Sequence, residues 1–554
     1  MPVDYSKLKK YPALLLLITV YVLACVVVFI NFMRARGGTG ETQKVVLRMA
    51  HWQLEPGIRN ALDWAIEKYA EQHPNVEVRQ ILIPEEGYFR WVNTQLIGGT
   101  APDMIECGMG PRQLWPKFYA RYFVPLNEYV DEPNPYNAGT ELEGVPWRQT
   151  YFDEMEGGYE ENLKSYFRVP LSTFTQRLYY NKDLIGKVWS PAEEGSEFPR
   201  TYESFIDLCK RLQDYYARSE KEGVPIGGSQ YSFDRLVDAY RTAMTASYMD
   251  QLDVDRDGNV SVMEYSTPLY SGTLKMTEPR IKANFELLRE ISKYSPPGAT
   301  SLDRDEVAFL FMQGNAAMVP TGSWDYLYLA TQAEFPVGVT PERMPLPSKD
   351  NPKYGQYVTG PQTEADTRGA FPFGITKTSK HRAQTLDFLQ FLSSLEINQE
   401  LTRRMYWLPV IAGAKPREEL KPFEPRIEGY TAAIEFEQVP GTALTYRQEL
   451  PLYLSGSKDY EEFVDDYMSQ YRKDLREGVK DHVRGIAQTM DQQLRLAAAR
   501  RAAINGASGA AEALTADPVD QYVRILEAFG GQVNSRTHEV SVWVRGAQLY
   551  EQQQ

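Results

Sequence analysis

Between residues 45 and 107 the chain alternates short apolar runs with longer amphipathic stretches. From Ile58 to Tyr69, apolar residues recur every three or four positions, which places them on one face of a helix. The predicted elements are, in chain order, a strand at Val45–Ala50, the helix around Ile58–Tyr69, a strand at Val76–Ile83, a helix at Tyr88–Ile97 and a strand at Thr100–Cys107. This order predicts a parallel sheet covered by helices on both faces.

The N-terminus carries a different pattern, since no residue from Ala13 to Ile30 is charged. A stretch of this length crosses about 30 Å of hydrocarbon as a helix, so residues 11–33 are predicted to form a transmembrane signal anchor that contacts membrane lipid. The lysines in residues 1–10 favour a cytoplasmic tail, which puts the bulk of the chain on the periplasmic or extracellular side of a bacterial cytoplasmic membrane. Residues 34–44 are predicted to be a linker. The alternative is a lipoprotein cleaved before Cys25, in the sequence Val22-Leu23-Ala24-Cys25.

Composition and charge narrow the function further. The chain has 60 Lys and Arg against 74 Asp and Glu, a net charge of −14, 43% apolar residues and 3 cysteines. This is typical of a folded protein of two or more domains and excludes a disulfide framework. Nucleic acid is not an expected partner, because binding phosphates needs clustered Lys and Arg. Cys107 and Cys209 could form one bridge, which the sequence leaves open.

Several motifs in order resemble family 1 extracellular solute-binding proteins, the maltose-binding-protein-like class. The motifs are the Gly-Thr-Ala-Pro-Asp turn at 99–103, Leu178-Tyr-Tyr-Asn-Lys-Asp-Leu184, Phe309 to Met318 with Gly322-Ser323-Trp324, Gly374-Ile-Thr-Lys-Thr-Ser-Lys380, and Leu408-Pro409. The resemblance implies a two-lobed α/β periplasmic-binding-protein fold with a hinge. The implied lobes are 45–165 with 371–407, and 166–370 with 408–480. Residues 481–554 are then a mainly helical C-terminal extension.

The resemblance also implies a function. A solute-binding protein of an ABC importer captures a carbohydrate or similar small solute between its lobes and presents it to the transporter permease subunits. It breaks no bond and is not an enzyme. Two alternatives remain: a receptor that reports ligand occupancy to a membrane signalling partner, and an exported glycoside hydrolase using two carboxylates. The 5 histidines are scattered, and no nucleophile or metalloprotease motif accompanies the acids.

The resemblance further implies the ligand-binding residues. Sugar-binding members stack aromatic rings on pyranose faces and collect hydroxyls with carboxylates and amides, which gives roles to Trp324, Trp52 and Tyr446. Phe174 stands where the maltose-binding protein has a carboxylate, so the identity of the solute is open. The predicted ligand-binding residues are Trp324, Tyr446, Trp52, Phe174, Ser172, Glu106 and Tyr231. Trp324 and Trp52 could instead be core residues, and Glu106 a plain surface group.

A separate local motif spans residues 253–264, where the sequence reads D-x-D-x-D-G-x5-E. The predicted calcium ligands are Asp253, Asp255, Asp257, the backbone carbonyl of Asn259, Ser261 and Glu264. Pro268 is predicted to shorten the outgoing helix to a stub. This favours a structural Ca²⁺ site of EF-hand type over a sensor, with a solvated acidic loop as the alternative.

Overall fold

The computed structural model describes residues 44–475, with gaps at 112–113, 161–162, 164, 194, 220–221, 230–238, 255, 257, 259, 261, 366–367, 435 and 437–439. The predicted cytoplasmic tail, the transmembrane segment 11–33 and the extension 481–554 lie outside the described residues, as does Tyr231. Among the helices that are described, none combines the length and apolar character needed to cross a membrane.

The secondary structure is mixed throughout the described chain. The described strands are β1 (Val45–His51), β2 (Val76–Leu82), β3 (Met104–Glu106), β4 (Tyr159–Glu160), β5 (Ser165–Tyr166), β6 (Val169–Ser172), β7 (Gln176–Asn181), β8 (Val224–Ile226), β9 (Ala316–Gly322), β10 (Val337–Val339) and β11 (Ala370–Ile375). The described α-helices with defined ends are α1 (Pro56–Gln72), α2 (Glu85–Gly98), α3 (Trp115–Tyr122), α4 (Asn127–Val130), α5 (Lys182–Val188), α6 (Tyr202–Arg218), α7 (Met249–Leu252), α8 (Val262–Ser271), α9 (Pro279–Ser292), α10 (Arg304–Met312), α11 (Tyr326–Gln332), α12 (Arg382–Leu392), α13 (Leu395–Met405) and α14 (Pro440–Leu454). Residues 239–245 and 460–475 are also helical.

Short 3-10 helices occupy many of the connections between these elements. Those described are Pro135–Asn137, Trp147–Thr150, Glu156–Gly158, Ala246–Tyr248, Ala299–Ser301, Ser323–Asp325, Gly355–Tyr357 and Glu418–Phe423. The turn at Ser323–Asp325 directly follows β9 and carries Trp324.

The first lobe is built on a sheet whose described strands run in the order β2-β1-β3-β11-β6. β1 pairs in parallel with β2 and with β3, as the alternation of strands and helices predicts. β11 is antiparallel to both β3 and β6, so the complete sheet is mixed rather than parallel. The antiparallel strand enters from far along the chain, and nothing in the local pattern of residues 45–107 indicates it.

The second lobe is built on a sheet with described order β10-β7-β9-β8. β7 runs antiparallel to β9, and β8 runs parallel to it. The N-terminal end of β7 therefore lies beside the C-terminal end of β9, with Gln176 opposite Gly322. This shared end is the one at which the chain arrives from the first lobe, because β6 of the first sheet directly precedes β7.

Connections between the two sheets place the lobe boundary. Val169–Ser172 pairs with β11 of the first sheet, so the first crossing lies after Ser172 and not after residue 165 as the implied division has it. Thr173 forms a bridge with Leu408. Leu408 lies near the third crossing, where the chain returns to the second lobe after β11, α12 and α13. Val410 and Ile411 still pack with the first-lobe core, beyond the implied end at 407. These corrections arise because the hinge follows backbone pairing between distant segments.

Each lobe has its own hydrophobic core. In the first lobe, Leu47 and Met49 of β1 pack with Leu62 of α1 and with Phe388 and Phe391 of α12. The second-lobe core is rich in tyrosine and gathers the buried faces of α6, α9, α14 and the helix at 460–475. Cys107 and Cys209 are both buried and free, the first in a core cluster of the first lobe and the second in the core of the second lobe.

Candidate functional site

Aromatic side chains meet where the two lobes join. Phe174 lies in the first crossing, between β6 and β7, and its ring contacts Trp324 edge-to-face at 5.3 Å between centroids. On its other side it contacts Trp407 in the same manner at 5.0 Å. Trp324 follows β9 of the second lobe yet packs, half-buried, against the hydrophobic cluster of the first. The structure therefore brings Trp324 and Phe174 together at the lobe junction.

The backbone before Trp324 lets its ring fold back on the strand. A side chain at Gly322 would place its Cβ 2.2 Å from Cζ3 of Trp324, closer than real atoms approach. Glycine at this position is thus required by the close approach of the ring, since the φ of −92° is open to other residues. The Gly-Ser-Trp motif consequently fixes where the indole lies.

Trp52 and Glu106 occupy neighbouring strand ends in the first lobe. Glu106 is 1% exposed, and its carboxylate accepts hydrogen bonds from the Trp52 backbone N–H at 3.3 Å and from Gln53 Nε2 at 2.8 Å. Burial raises the pKa of Glu106 well above its usual value, which these two donors only partly offset. The Trp52 ring contacts Tyr88 edge-to-face at 4.9 Å. Glu106 is therefore a buried group favouring the protonated form, and not a surface carboxylate.

Tyr446 lies elsewhere, which corrects its expected place in the cleft. It is 4% exposed within the second-lobe core, where its ring stacks on Phe436 with centroids 5.6 Å apart and 12° between planes. Phe285 and Tyr467 close the same cluster. The expected role came from spacing along the chain, and the side chain instead lies on the face of α14 that packs into the lobe.

Ser172 is also buried, and its hydroxyl is used in a hydrogen bond within the protein. Its hydroxyl donates to the Leu408 carbonyl at 2.9 Å, and the side chain is fully buried. The next residue, Thr173, forms the bridge to the same Leu408. Ser172 therefore ties the first crossing to the third and has no exposed hydroxyl to offer a solute.

A buried charged network that the sequence did not indicate lies beside the hinge in the second lobe. Arg177 of β7 meets Glu364 through two hydrogen bonds, of 2.7 and 3.0 Å. Arg343 joins Glu364 at 3.1 Å, and the Arg426 backbone N–H donates to the same carboxylate at 2.8 Å. A cavity of about 30 Å³ adjoins these groups. The partners are far apart in sequence, so no motif could reveal them.

This network sets the protonation of Glu364. Burial by itself would raise the pKa of the carboxyl, but the hydrogen bonds and charge of Arg177, with help from Arg426 and Arg343, outweigh it and hold the pKa below its usual value. Glu364 is thus ionised, in contrast to Glu106. The two carboxyls show how burial with and without cations gives opposite results.

The predicted calcium loop is described only in part. Asp253 accepts a hydrogen bond from the Gly258 N–H at 3.0 Å, and Glu264 accepts one from the Val254 N–H at 2.7 Å. Gly258 has a φ of +86°, as the sharp turn requires. Asp255, Asp257, Asn259 and Ser261 lie outside the described residues, and no three metal-binding side chains come together among those described. Calcium binding therefore stays a prediction.

The helices beside this loop differ from expectation at one point. α8 contains Pro268 and runs on to Ser271, so the proline does not end it. Because proline lacks an N–H, it removes one helical hydrogen bond without stopping the turn. The outgoing helix is consequently a full element rather than a stub.

Comparison with known proteins agrees with this architecture. The sequence profile of the family "bacterial extracellular solute-binding protein" matches residues 56–399. A putative ABC transporter periplasmic-binding protein, YcjN of Escherichia coli, is 20% identical over 274 residues, which cover 50% of this chain and 54% of that protein. An uncharacterised ABC transporter extracellular-binding protein, PH1214 of Pyrococcus horikoshii, is 19% identical over 461 residues, covering 78% of this chain and 89% of that protein.

Solved structures show the same fold. The GacH receptor of Streptomyces glaucescens, solved unliganded and with acarbose, superposes with a TM-score of 0.53 at 17% identity, covering 78% of this chain and 99% of that one. A chitin oligosaccharide binding protein gives 0.52 at 18% identity, with coverage of 78% and 99%. A solute-binding protein of Thermotoga lettingae bound to tagatose gives 0.52 at 16% identity, with coverage of 78% and 100%.

Proposed function

Since the chain belongs to the bacterial extracellular solute-binding protein family, we propose that it binds a carbohydrate at the lobe junction and delivers it to the permease of an ABC importer. The family match and the fold are those of substrate-binding proteins and not of enzymes. The proteins of similar fold include one solved with acarbose, one that binds chitin oligosaccharide and one solved with tagatose. Those ligands support a carbohydrate as the solute class.

The observation that carries the proposal is the junction between the two sheets. The strand ends that carry Trp52 and Glu106 in one lobe and Trp324 in the other lie at the ends facing the crossings. Aromatic rings and buried polar groups at such a junction suit a polyhydroxylated solute, because rings cover its C–H faces while polar groups order its hydroxyls. Hinge closure over the solute follows from the connections between the lobes.

Solute binding is tested by calorimetric titration of the detergent-purified full chain with maltooligosaccharides, chitooligosaccharides, monosaccharides and polyols, with peptides and polyamines as other classes. We expect saturable binding of one sugar class and recovery of that sugar unchanged. Trp324→Ala should weaken binding about tenfold to hundredfold, as removing a central aromatic contact does. Tyr328→Ala is the matched control, since Tyr328 is 45% exposed on α11. Hydrolysis of the sugar, or binding of peptides alone, contradicts the proposal.

Membrane anchoring is a second part of the proposal. The uncharged stretch Ala13–Ile30 after three lysines supports a signal anchor that holds the binding lobes outside the cytoplasmic membrane. Fractionation of cells expressing the full chain, followed by carbonate washing, tests it. We expect the protein to stay in the membrane pellet, and a Cys25→Ser variant to behave in the same way. Release of the parent protein, or release on substituting Cys25, contradicts an uncleaved anchor.

A structural calcium ion in the loop 253–264 is the third part of the proposal. The donor set is oxygen-rich and suits Ca²⁺, and Gly258 adopts the conformation that the loop type needs. An ion bound only by the folded state stabilises it by about 2.7 kcal/mol at a concentration a hundred times the Kd. We therefore expect Ca²⁺ to raise the melting temperature of the parent protein above its value in EGTA.

Variants of the loop sharpen this calcium test. Glu264→Gln and Asp253→Asn should each reduce the calcium-dependent rise. Asp250→Asn is the control, because Asp250 is an exposed acid of α7 outside the motif. A rise of equal size in all of these proteins would show that calcium acts at another place.

A further inference from the structure

Arg304 lies where carboxylates of both lobes come together. It begins α10, and Asp303 fixes that start by accepting the Glu306 N–H at 2.8 Å while Glu306 accepts the Asp303 N–H at 2.9 Å. The guanidinium lies 3.4 Å from the carboxylate of Asp325, in the turn that follows β9. The side chain of Arg304 is 38% exposed and that of Asp325 is 8% exposed. Arg304 is therefore anchored in the second lobe with part of its charge facing outward.

The first lobe presents two carboxylates to this place. Glu55 directly precedes α1 and Glu85 begins α2, and both side chains are exposed. Burial alone would lower the pKa of Arg304, but Asp325, Glu85, Asp305 and Glu55 together raise it above its usual value. Glu55 also adds to the rise in the pKa of Asp325, which is caused mainly by burial. The charges of Glu55 and Glu85 thus bear on the second-lobe pair of Arg304 and Asp325.

The two lobes approach each other closely at the same edge. A Cβ at Gly57, in the first turn of α1, would lie 3.1 Å from Leu327 Cδ2 in α11. Leu327 is two residues beyond Asp325, and Gly57 is two residues beyond Glu55. Glu55 and Asp325 are therefore carried by the two segments that approach each other across the lobe junction. Glu55 and Glu85 carry the same charge as Asp305 and Asp325, so the two edges would repel each other without a nearby cation.

We infer that Arg304 is the cation that lets the acidic edges of the two lobes close on each other. It neutralises part of the second-lobe edge and attracts Glu55 and Glu85 across the junction. The inference concerns closure and not the solute, so it goes beyond the proposed function. It predicts that loss of the Arg304 charge opens the lobes, and that weakening the repulsion closes them again.

Pulsed dipolar spectroscopy of the full chain without solute tests this. Spin labels are attached through a ketone-bearing unnatural amino acid at the positions of Ile97, 67% exposed in the first lobe, and Arg218, 82% exposed in the second. At low salt we expect Arg304→Gln to reduce the short-distance, closed population about fivefold, the upper range for a partly exposed ionic interaction. Lys282→Gln is the control, since Lys282 pairs with Glu461 on the second lobe at 2.8 Å.

Rescue separates charge from packing. In the Arg304→Gln protein, addition of Glu55→Gln and Glu85→Gln, or of 0.5 M salt, which screens within about 5 Å, should restore most of the closed population. A closed population that is absent in the parent, unchanged in Arg304→Gln, or lost without such rescue overturns the inference. Solute affinity is measured on the same proteins. Failure of the parent to bind any sugar would sink the proposed function while leaving the closure result intact.

Discussion

Two ion pairs near the lobe connections differ in how far they are buried and in how many further hydrogen bonds their side chains make. Arg177 and Glu364 have side chains 1% and 2% exposed and lie 2.7 Å apart. The remaining donors of Arg177 reach the backbone carbonyls of Pro422, Gln176 and Glu424. Arg304 and Asp325 are 38% and 8% exposed, lie 3.4 Å apart, and have acids of the other lobe nearby.

The difference separates fixed from adjustable parts of the hinge. The Arg177 pair joins β7 to the backbone at Pro422 and Glu424, so its geometry cannot change without breaking several hydrogen bonds at once. The environment of Arg304 depends on how far apart the lobes are. The buried Arg177–Glu364 pair, whose hydrogen bonds are all made within the second lobe, is fixed. The partly exposed Arg304–Asp325 pair can respond to lobe movement.

Breaking the buried pair should give the largest effect. Arg177→Met leaves the Glu364 charge buried without its main partner, so we expect a loss of about 3–5 kcal/mol in the free energy of unfolding. Urea unfolding followed by circular dichroism measures it. The double variant Arg177→Met/Glu364→Leu should recover part of the loss, because no uncompensated charge remains. A loss below about 1 kcal/mol in the single variant would contradict a structural role for the pair.

A smaller effect is expected at Gly322, which lies opposite Gln176, the residue before Arg177. Gly322→Ala forces the Trp324 ring to move, which should cost about 1–3 kcal/mol, as overpacking does. Tryptophan fluorescence should change with it, and solute affinity should fall. Gly186→Ala is the matched control, because a Cβ there meets no atom within 4 Å and the residue lies in α5. Equal behaviour of the two variants would mean that the indole is not held by the strand.

The pH dependence of stability should separate the carboxyls with and without cations. Glu364 has a folded pKa below its usual 4.5, so its contribution is present above that value and is lost as pH falls through the folded pKa. Glu106 has a folded pKa above 4.5, so its contribution is full below 4.5 and is lost as pH rises toward the folded pKa.

Melting temperatures of Glu106→Gln and the parent at pH 5 and pH 7.5 test the second half of this contrast. The variant should gain on the parent as pH rises, because the glutamine has no proton to lose. For Glu364→Gln, the melting temperature should fall less than that of the parent as pH decreases, because the variant has no carboxylate to protonate. Parallel pH profiles for the parent and Glu106→Gln would show that Glu106 is ionised in the folded protein.

The smallest effect on the free energy of unfolding is expected for an exposed ion pair. Arg404 and Glu400 lie one turn apart on α13, 2.8 Å from each other and 45% and 42% exposed. Arg404→Gln should cost about 0.2–1 kcal/mol, the usual value of such a pair, by the same urea measurement. The Arg404 guanidinium also lies 4.6 Å from the centroid of the Trp64 ring, so Glu400→Gln, which removes the carboxylate and leaves that contact in place, distinguishes the ion pair from it.

The sequence predicted the beginning of the first lobe well. The predicted strands at Val45–Ala50 and Val76–Ile83 and the helix around Ile58–Tyr69 correspond to β1, β2 and α1. Local periodicity suffices there, because the apolar stripe of the helix and the apolar runs of the strands are visible within each segment, whichever elements they pack against. β11 could not be placed in this way, since its pairing with β3 joins residues far apart in sequence.

The sequence predicted where some of the candidate site residues lie, while their binding of a solute stays a prediction. Trp324 and Phe174 do meet at the junction, and Trp52 and Glu106 lie at strand ends, because motifs that end strands locate such positions. Tyr446 and Ser172 could not be assigned from spacing, because the direction of a side chain depends on which face its element packs. Arg304 carries no motif, and its role becomes visible only when the two lobes are in place.

The strand order of the first sheet has a consequence for how the molecule comes into being. β11 is inserted between β3 and β6, so the edge of β3 has no neighbour until residue 375 has left the ribosome. By then the whole second sheet has been synthesised. The second sheet is therefore complete before the first sheet, and the unpaired edge of β3 needs protection from aggregation throughout that interval.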